Sequence, residues 1–482
     1  MRPSSVVVGA GAGGLVAALA LQRAGHDVVL LEAKTRVGGC ASAFPIKDFR
    51  FLAGATTLIG LEPHMPLGRV LAELDVRFEA PVARRNLTVW QGGGPLVIGD
   101  DAAANREVLR ARHGEAFARF WDAGVALGAR GWELVTQLHF PPRGPGDLLR
   151  AAGKGLAWRL LPELAQSTRS QLDAFEVGDR ARRMLDELLL VSTQASADVT
   201  PWLFGALGLE YLQRPLYLAD GGLPSLLEHL ADVFVSRGGT LRLDTPVSGF
   251  SRDGAGFAAQ TTVGKVSAER LVLDLTHWDA HRLASEDLKP AFARAVQRHP
   301  DAWSACTLYV GVRDELGDAT PYHQVVLDAP LPVTGAHGVF ITLSRRGDLR
   351  AAPAGFRAVT MSCHVRTSDW EGLDDASHAA RKAAVQAELL EVLLHTFPAL
   401  RHVERPVVMA GTPRTWEGFT GRSGGRVGGL PFDVTTLRRG YPSGRTGVRG
   451  LARVGDTVFP GQSVPACAWG ARRVVAELLA QK

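Results

Sequence analysis

Apolar and polar positions along the chain change period several times, and each change predicts an element. Ser5-Val6-Val7-Val8 is a short β-branched run that turns through Gly9-Ala10-Gly11-Ala12-Gly13-Gly14 into the apolar stretch Leu15 to Ala24, the pattern of strand, glycine turn and helix. Gly25-His26 ends that helix, and Asp27 to Leu31 reads as the next strand. Phe49-Arg50-Phe51-Leu52-Ala53-Gly54-Ala55-Thr56-Thr57 reads as a strand followed by a small-residue turn. From about 63 to 208 apolar residues recur at three and four, as in 106–124, 147–164 and 178–190, so this interval is expected to be largely helical. Asp220-Gly221-Gly222 leads into an amphipathic helix over 225–237, then a strand over 240–245 and further strands to Asp274. From Trp303 to about Thr415, β-rich pieces (305–310, 339–343, 358–363) surround a helix over 376–395, which suggests a second sheet forming a substrate chamber. The last element is a helix over 464–479, preceded by Gly455-Asp456-Thr457-Val458-Phe459-Pro460-Gly461-Gln462.

The opening βαβ unit carries specific chemistry. Gly9 permits the tight turn, Gly11 lets backbone N–H groups approach a pyrophosphate, and Gly14 lets helix pack on strand, with Gly13 completing the side-chain-free loop. The helix N-terminus favours the negative charge. The second strand ends at Glu32, where a carboxylate accepts hydrogen bonds from ribose hydroxyls. The continuation Arg36-Val37-Gly38-Gly39 places a cation and two side-chain-free residues beside a pyrophosphate and flavin, favouring FAD over a nicotinamide dinucleotide. Ala53, Gly54 and Ala55 suit close backbone approach to a flavin ring, and Val247 is expected at the same cofactor. Near the other end of the chain, Gly455, Asp456, Gly461 and Gln462 precede a helix whose N-terminus can again offer N–H groups, with Asp456 set to bond a ribityl chain. These two distant segments read as halves of one FAD site.

Composition changes this picture little. With 482 residues the chain exceeds one ordinary core. A net charge of +5 and pI near 9.2 raise nucleic acid as a partner, but the arginines are scattered and no nucleic-acid motif is present. Four cysteines (Cys40, Cys306, Cys363, Cys467) stand far apart without metal-like spacing, so no metal site and a reducing, cytoplasmic compartment are expected. No stretch approaches the length of a membrane span, so any membrane contact is expected to be peripheral, on the inner face of the cell membrane. Gly153 to Leu161 combines cations, a tryptophan and aliphatics as an interfacial helix would, and 422–449 carries six arginines against Asp433.

The N-terminal signature, the Asp220-Gly221-Gly222 hairpin and the segment Gly455 to Gln462 together resemble the FAD-dependent carotenoid desaturase and isomerase superfamily, related to the amine oxidases. Gly411-Thr412-Pro413-Arg414-Thr415-Trp416 and Phe419-Thr420-Gly421-Arg422 look most like the phytoene desaturase-like branch containing carotene isomerases, retinol saturases and carotenoid 3',4'-desaturases. Two departures stand out: Ser463 follows Gly461-Gln462 where members often have a glycine, and Gly425 to Gly428 replaces a tyrosine-containing turn. The resemblance implies an α/β fold of amine-oxidase-like architecture: a discontinuous Rossmann-like FAD-binding domain and a mixed α+β substrate domain. The expected division is FAD-binding over 1–62, 209–275 and 446–482, a helical substrate or membrane-facing insertion over 63–208, and a β-rich substrate domain over 276–445. It further implies a C40 polyene substrate, desaturated by hydride transfer to flavin in a late 3',4'-type step, with oxygen or a quinone as acceptor. Redox-neutral isomerisation on reduced flavin and an amine-oxidase or protoporphyrinogen-oxidase-like activity are the alternatives. No catalytic residue is assigned. His277 and His364 read as structural or exposed, and Arg414 and Arg422 either meet substrate or pair with acids of the fold.

Overall fold

A computed structural model describes residues 2–137 and 163–481. The expected interfacial stretch 153–161 and most of the expected helix over 147–164 lie outside the described residues.

The opening strand Ser4–Val8 is central in a five-stranded, fully parallel sheet ordered Leu451–Arg453, Arg270–Leu273, Ser4–Val8, Asp27–Leu31, Thr240–Arg242. Its strands come from the beginning, middle and end of the chain, so the sheet closes only when distant segments meet. Alternation decides what each face buries. Val7, Leu30 and Val272 face helices Ala12–Arg23, Pro66–Glu73, Pro224–Ser236 and Val464–Leu479. Val6, Val8, Leu31, Leu271 and Leu273 face Phe250 and Phe257 of a three-stranded antiparallel sheet, and Phe292 of helix Pro290–Arg298. Strands buried on both faces read as continuous apolar runs.

The second, seven-stranded sheet runs Val407–Gly411, Trp303–Arg313, Phe356–Arg366, Gly338–Leu343, Tyr322–Val326, Arg85–Trp90, Pro95–Gly99. Here too period two assigns the faces: Cys306, Leu308 and Val310 pack with Met361 and Ile341 onto Val385, Leu389 and Leu393 of helix Asp375–Thr396. Their neighbours Ala305 and Thr307 point the other way, into a cavity.

Two expectations need correcting. The interval 63–208 is not purely helical: Arg85–Trp90 and Pro95–Gly99 form a hairpin that joins the large sheet, burying Leu87, Val89, Leu96 and Ile98. Alternation around the turn Gln91-Gly92-Gly93-Gly94 carried that signal. The helix expected over 106–124 is two helices, Ala102–His113 and Glu115–Gln137, because Gly114 breaks the run at φ +88.

Helix Glu115–Gln137 then packs against Trp202–Leu212 through a seam of small residues. A Cβ on Gly128 would collide with the Ala206 carbonyl, and one on Gly124 would lie 2.6 Å from Leu209.

Candidate active site

One cavity of about 840 Å³ runs from the edge of the parallel sheet to the helices facing the large sheet. The end beside the parallel sheet is built from both ends of the chain. A Cβ on Gly13 would lie 2.9 Å from the Gly455 amide nitrogen, so bare backbone on both sides lets the N-terminal loop touch the C-terminal turn.

The donors there suit an anion. Helix Ala12–Arg23 starts from Gly11, which has no side chain to cap it, and Gly11, Ala12 and Gly13 line the cavity at the helix N-terminus. Glu32 closes the second strand: its Oε2 accepts from the Ala10 amide at 2.8 Å and Oε1 from the Lys34 amide at 2.9 Å. Burial pushes its carboxyl upward, and the backbone N–H groups oppose that shift. Arg36 borders the same cavity and stacks its guanidinium 4.7 Å over the Phe419 ring, which holds the cation in place. Gly9, Gly11, Gly13, Gly38, Gly39, Gly54, Ala55, Val247, Gly455, Asp456 and Gln462 also line the cavity.

Three of the expected contact residues support the wall instead. Gly14 lacks the Cβ that would strike the Gly9 carbonyl, and its amide donates to Asp274 Oδ2 at 2.9 Å. Ala53 is buried, its carbonyl accepting from the Tyr309 hydroxyl at 2.7 Å. Gly461 packs beneath Tyr441 and Phe432, where a side chain would collide.

Asp274 was the residue hardest to foresee. It ends strand Arg270–Leu273, and its carboxylate enters the glycine loop, where a Cβ on Gly11 would lie 2.5 Å from Oδ2. Burial pushes Asp274 up to about 7, against the pull of the Gly14 amide and of Arg422. Arg422 donates to Asp456 Oδ2 at 2.6 Å, and although burial disfavours its charge, that carboxylate keeps it protonated. Arg414, by contrast, pairs with exposed Asp375 at 2.8 Å, away from the cavity. Trp416 of the same motif lies against the cavity over Gly54, where a Cβ would be 2.7 Å from its ring.

Beyond this polar end the lining becomes mainly apolar. Leu188, Val191, Phe204, Leu207 and Leu212 form the helical side; Ala305, Thr307, Tyr322, Gln324, Phe340 and Ser362 belong to the large sheet. The strand register places Gln324, Phe340, Ser362 and Thr307 in one transverse row. His364 lines this end as well, and burial pushes it down to about 4, so it is neutral near pH 7. His277 is structural: it is fully buried, with its Nε2 3.0 Å from the His299 carbonyl.

The residues present fit an FAD: the helix start at Gly11 to Gly13 for a pyrophosphate, a strand-end acid for a ribose, and a small-residue strip before an apolar chamber. Among the described residues no group of side chains could hold a metal, and no helix is long and apolar enough to cross a membrane.

Comparison with known proteins agrees. The model of the family described as flavin containing amine oxidoreductase matches residues 12–389. Prolycopene isomerase from Daucus carota is 24% identical, over 98% of this chain and 80% of its own length. Phytoene desaturase from Neurospora crassa is 26% identical, over 99% of this chain and 85% of its own. Among solved structures, an oxidoreductase from Methanosarcina mazei superposes with a TM-score of 0.65 at 19% identity, covering 98% of this chain and all of that one.

Proposed function

This chain belongs to the flavin-containing amine oxidoreductase family and is an FAD-dependent oxidoreductase, and from that premise we propose that it introduces a C=C bond into a carotenoid, as a late 3',4'-type desaturation. The observation that carries the reading is the cavity itself: a polar cofactor end continuous with a long chamber walled mainly by aliphatic and aromatic side chains. A polyene has little for an enzyme to grip except shape, so burial and alignment must do the binding. Bound FAD supplies an acceptor for a hydride from an allylic carbon. The chain's own residues hold that acceptor between the two glycine segments, offer Leu188, Leu207 and Phe340 against the substrate, and exclude water from the chamber.

The charge distribution speaks against a cationic amine as substrate. The acids lining the cavity among the described residues are Glu32, Asp274, Asp279 and Asp456. Each is already engaged by backbone or arginine at the nucleotide end.

Redox-neutral isomerisation is the second reading, favoured by the likeness to prolycopene isomerase over 98% of this chain. Producing the chain in a host that accumulates lycopene or a 1'-hydroxylated derivative separates the two. Loss of two mass units with a red-shifted absorption supports desaturation. Unchanged mass with altered retention selects isomerisation, and unaltered carotenoids together with peroxide release from amines would overturn both. We further propose a peripheral position at the inner face of the cell membrane, consistent with an apolar substrate, and oxygen or a quinone as the final acceptor. Sedimentation with anionic vesicles and reoxidation rates with each acceptor test these points.

A further inference from the structure

The substrate end of the cavity contains a polar feature that an all-hydrocarbon ligand would leave unused. Gln324 stands in the middle of strand Tyr322–Val326, paired with Val89 on one side and Phe340 on the other, and lines the chamber. It is 1% exposed, and its Oε1 has no hydrogen-bond partner among the described residues. Its Nε2 makes a 3.2 Å bond to the adjacent Val325 carbonyl. A buried amide oxygen without a partner is costly, and such groups are normally satisfied by protein, water or ligand.

A second polar group stands beside this amide, behind the residues that line the chamber. Glu187, from helix Asp179–Thr193, is buried and reaches over Gly338: a Cβ there would collide with Glu187 Oε2 and lie 2.7 Å from Gln324 Nε2. Glycine at 338 therefore makes the room in which carboxyl and amide meet. Burial and the neighbouring Asp186 push Glu187 up to about 7, so near neutral pH much of it is an uncharged acid able to donate as well as accept. Around the pair, Leu188, Val191 and Phe340 give the chamber its apolar wall.

We propose that Gln324 forms a hydrogen-bonding seat for a hydroxyl on the substrate, with Glu187 behind it as a positioning residue, so that the enzyme takes an oxygenated polyene in preference to the plain hydrocarbon of equal length. This rests on the polyene reading above and adds the specificity determinant to it. The substrate hydroxyl donates to Gln324 Oε1. A hydrocarbon in the same position leaves the amide oxygen buried and unpaired, and a site built to bond a hydroxyl rejects the analogue lacking it.

The test is equilibrium binding to the FAD-loaded protein, read by flavin fluorescence quenching, with two polyenes matched in length and conjugation, one carrying a terminal hydroxyl. The native protein should bind the hydroxylated polyene at least about tenfold more tightly. In Gln324→Leu the preference should vanish through weaker binding of the hydroxylated polyene, with the hydrocarbon bound within about twofold of native. Glu187→Leu should reduce the preference and Glu187→Gln retain part of it. Should Gln324→Leu lose its flavin or its fold, Gln324→Asn, polar but too short to reach, gives the same readout. Equal binding by the native protein overturns the proposal, as does a preference that survives in the Gln324 variants. Loss of the preference in Asn86→Leu or Gln194→Leu instead would also overturn it, since among the described residues Asn86 and Gln194 are the other buried cavity-lining amides with an unpartnered oxygen. Binding of neither polyene overturns the underlying substrate reading itself.

Discussion

At the scale of single residues, the candidate site is governed by where buried charge is compensated. Glu32 receives two backbone N–H groups. Glu32→Gln replaces one acceptor oxygen by a donor, so FAD should be held more weakly, by about 1.5–3 kcal/mol for a charge-assisted bond. An unchanged flavin-to-protein ratio after gel filtration would count against its placement. Asp274 makes a different prediction. Facing it are the Gly14 amide, the Arg422 cation, the carboxyls of Asp456 and Glu32, and the thiols of Cys40 and Cys467, which burial keeps protonated. An ordinary aspartate ionises near 3.8, whereas burial holds this one at about 7. The folded chain therefore keeps a proton that the unfolded chain releases. Stability should fall as pH rises between those two values and level off above them. Asp274→Asn should flatten that window in urea denaturation, and it should also remove a loss of FAD retention between pH 6 and pH 8, because an ionised Asp274 would repel the pyrophosphate. Ser463 is a third case. It adopts φ +84, ψ +152, a region that glycine alone occupies comfortably, while its hydroxyl caps Ala466 at 3.2 Å. Ser463→Gly relieves strain of about 1–3 kcal/mol at the expense of that cap and of a hydroxyl contact with Tyr211. Ser463→Ala loses the same bonds and keeps the strain, so the glycine variant should be the more stable of the two by at least about 1 kcal/mol in the same denaturation assay. The departure from the family glycine was visible in the chain, but its backbone angle was not.

At the scale of elements, the helical side of the chamber depends on the seam between Glu115–Gln137 and Trp202–Leu212. Gly128 has no space for a side chain, with Glu210 Cβ 2.6 Å from where a Cβ would stand. Gly128→Val should destabilise by about 1–3 kcal/mol through overpacking. Because Phe204, Leu207 and Leu212 on the partner helix line the cavity, it should also weaken polyene binding more than FAD binding. Equal losses of both ligands would show that the seam does not shape the substrate end. Long periodic helices and the two βα units were legible because each buries one face, so its period is written in the residues. The hairpin Arg85–Trp90/Pro95–Gly99 was missed inside a helical interval, since its partner strand Tyr322–Val326 lies more than two hundred residues away. A short run next to a glycine turn declares its hydrophobicity but not the sheet it will join.

At the scale of the whole molecule, the parallel sheet and the nucleotide end of the cavity both need the two ends of the chain together. A ligand bridging them should therefore stabilise the native state as a unit. At a hundredfold excess over Kd, FAD should contribute about 2.7 kcal/mol, read as a higher melting temperature than that of the flavin-stripped protein. No rise on reconstitution would show that the stripped protein no longer forms the site. The sequence alone determined the cofactor class, and it marked the glycine turn, Glu32, Arg36, Gly455 and Asp456, which the fold brings to one cavity and which we propose hold the FAD. Each of these is a local pattern whose chemistry depends on neighbours within a few positions. The tertiary structure decided that Asp274 enters the glycine loop, that Arg422 pairs with Asp456 while Arg414 turns outward, and that Gln324 meets Glu187 over Gly338. Those relations join residues up to about 260 positions apart. They arise from strand register and helix packing, which set distances between side chains that no local period encodes.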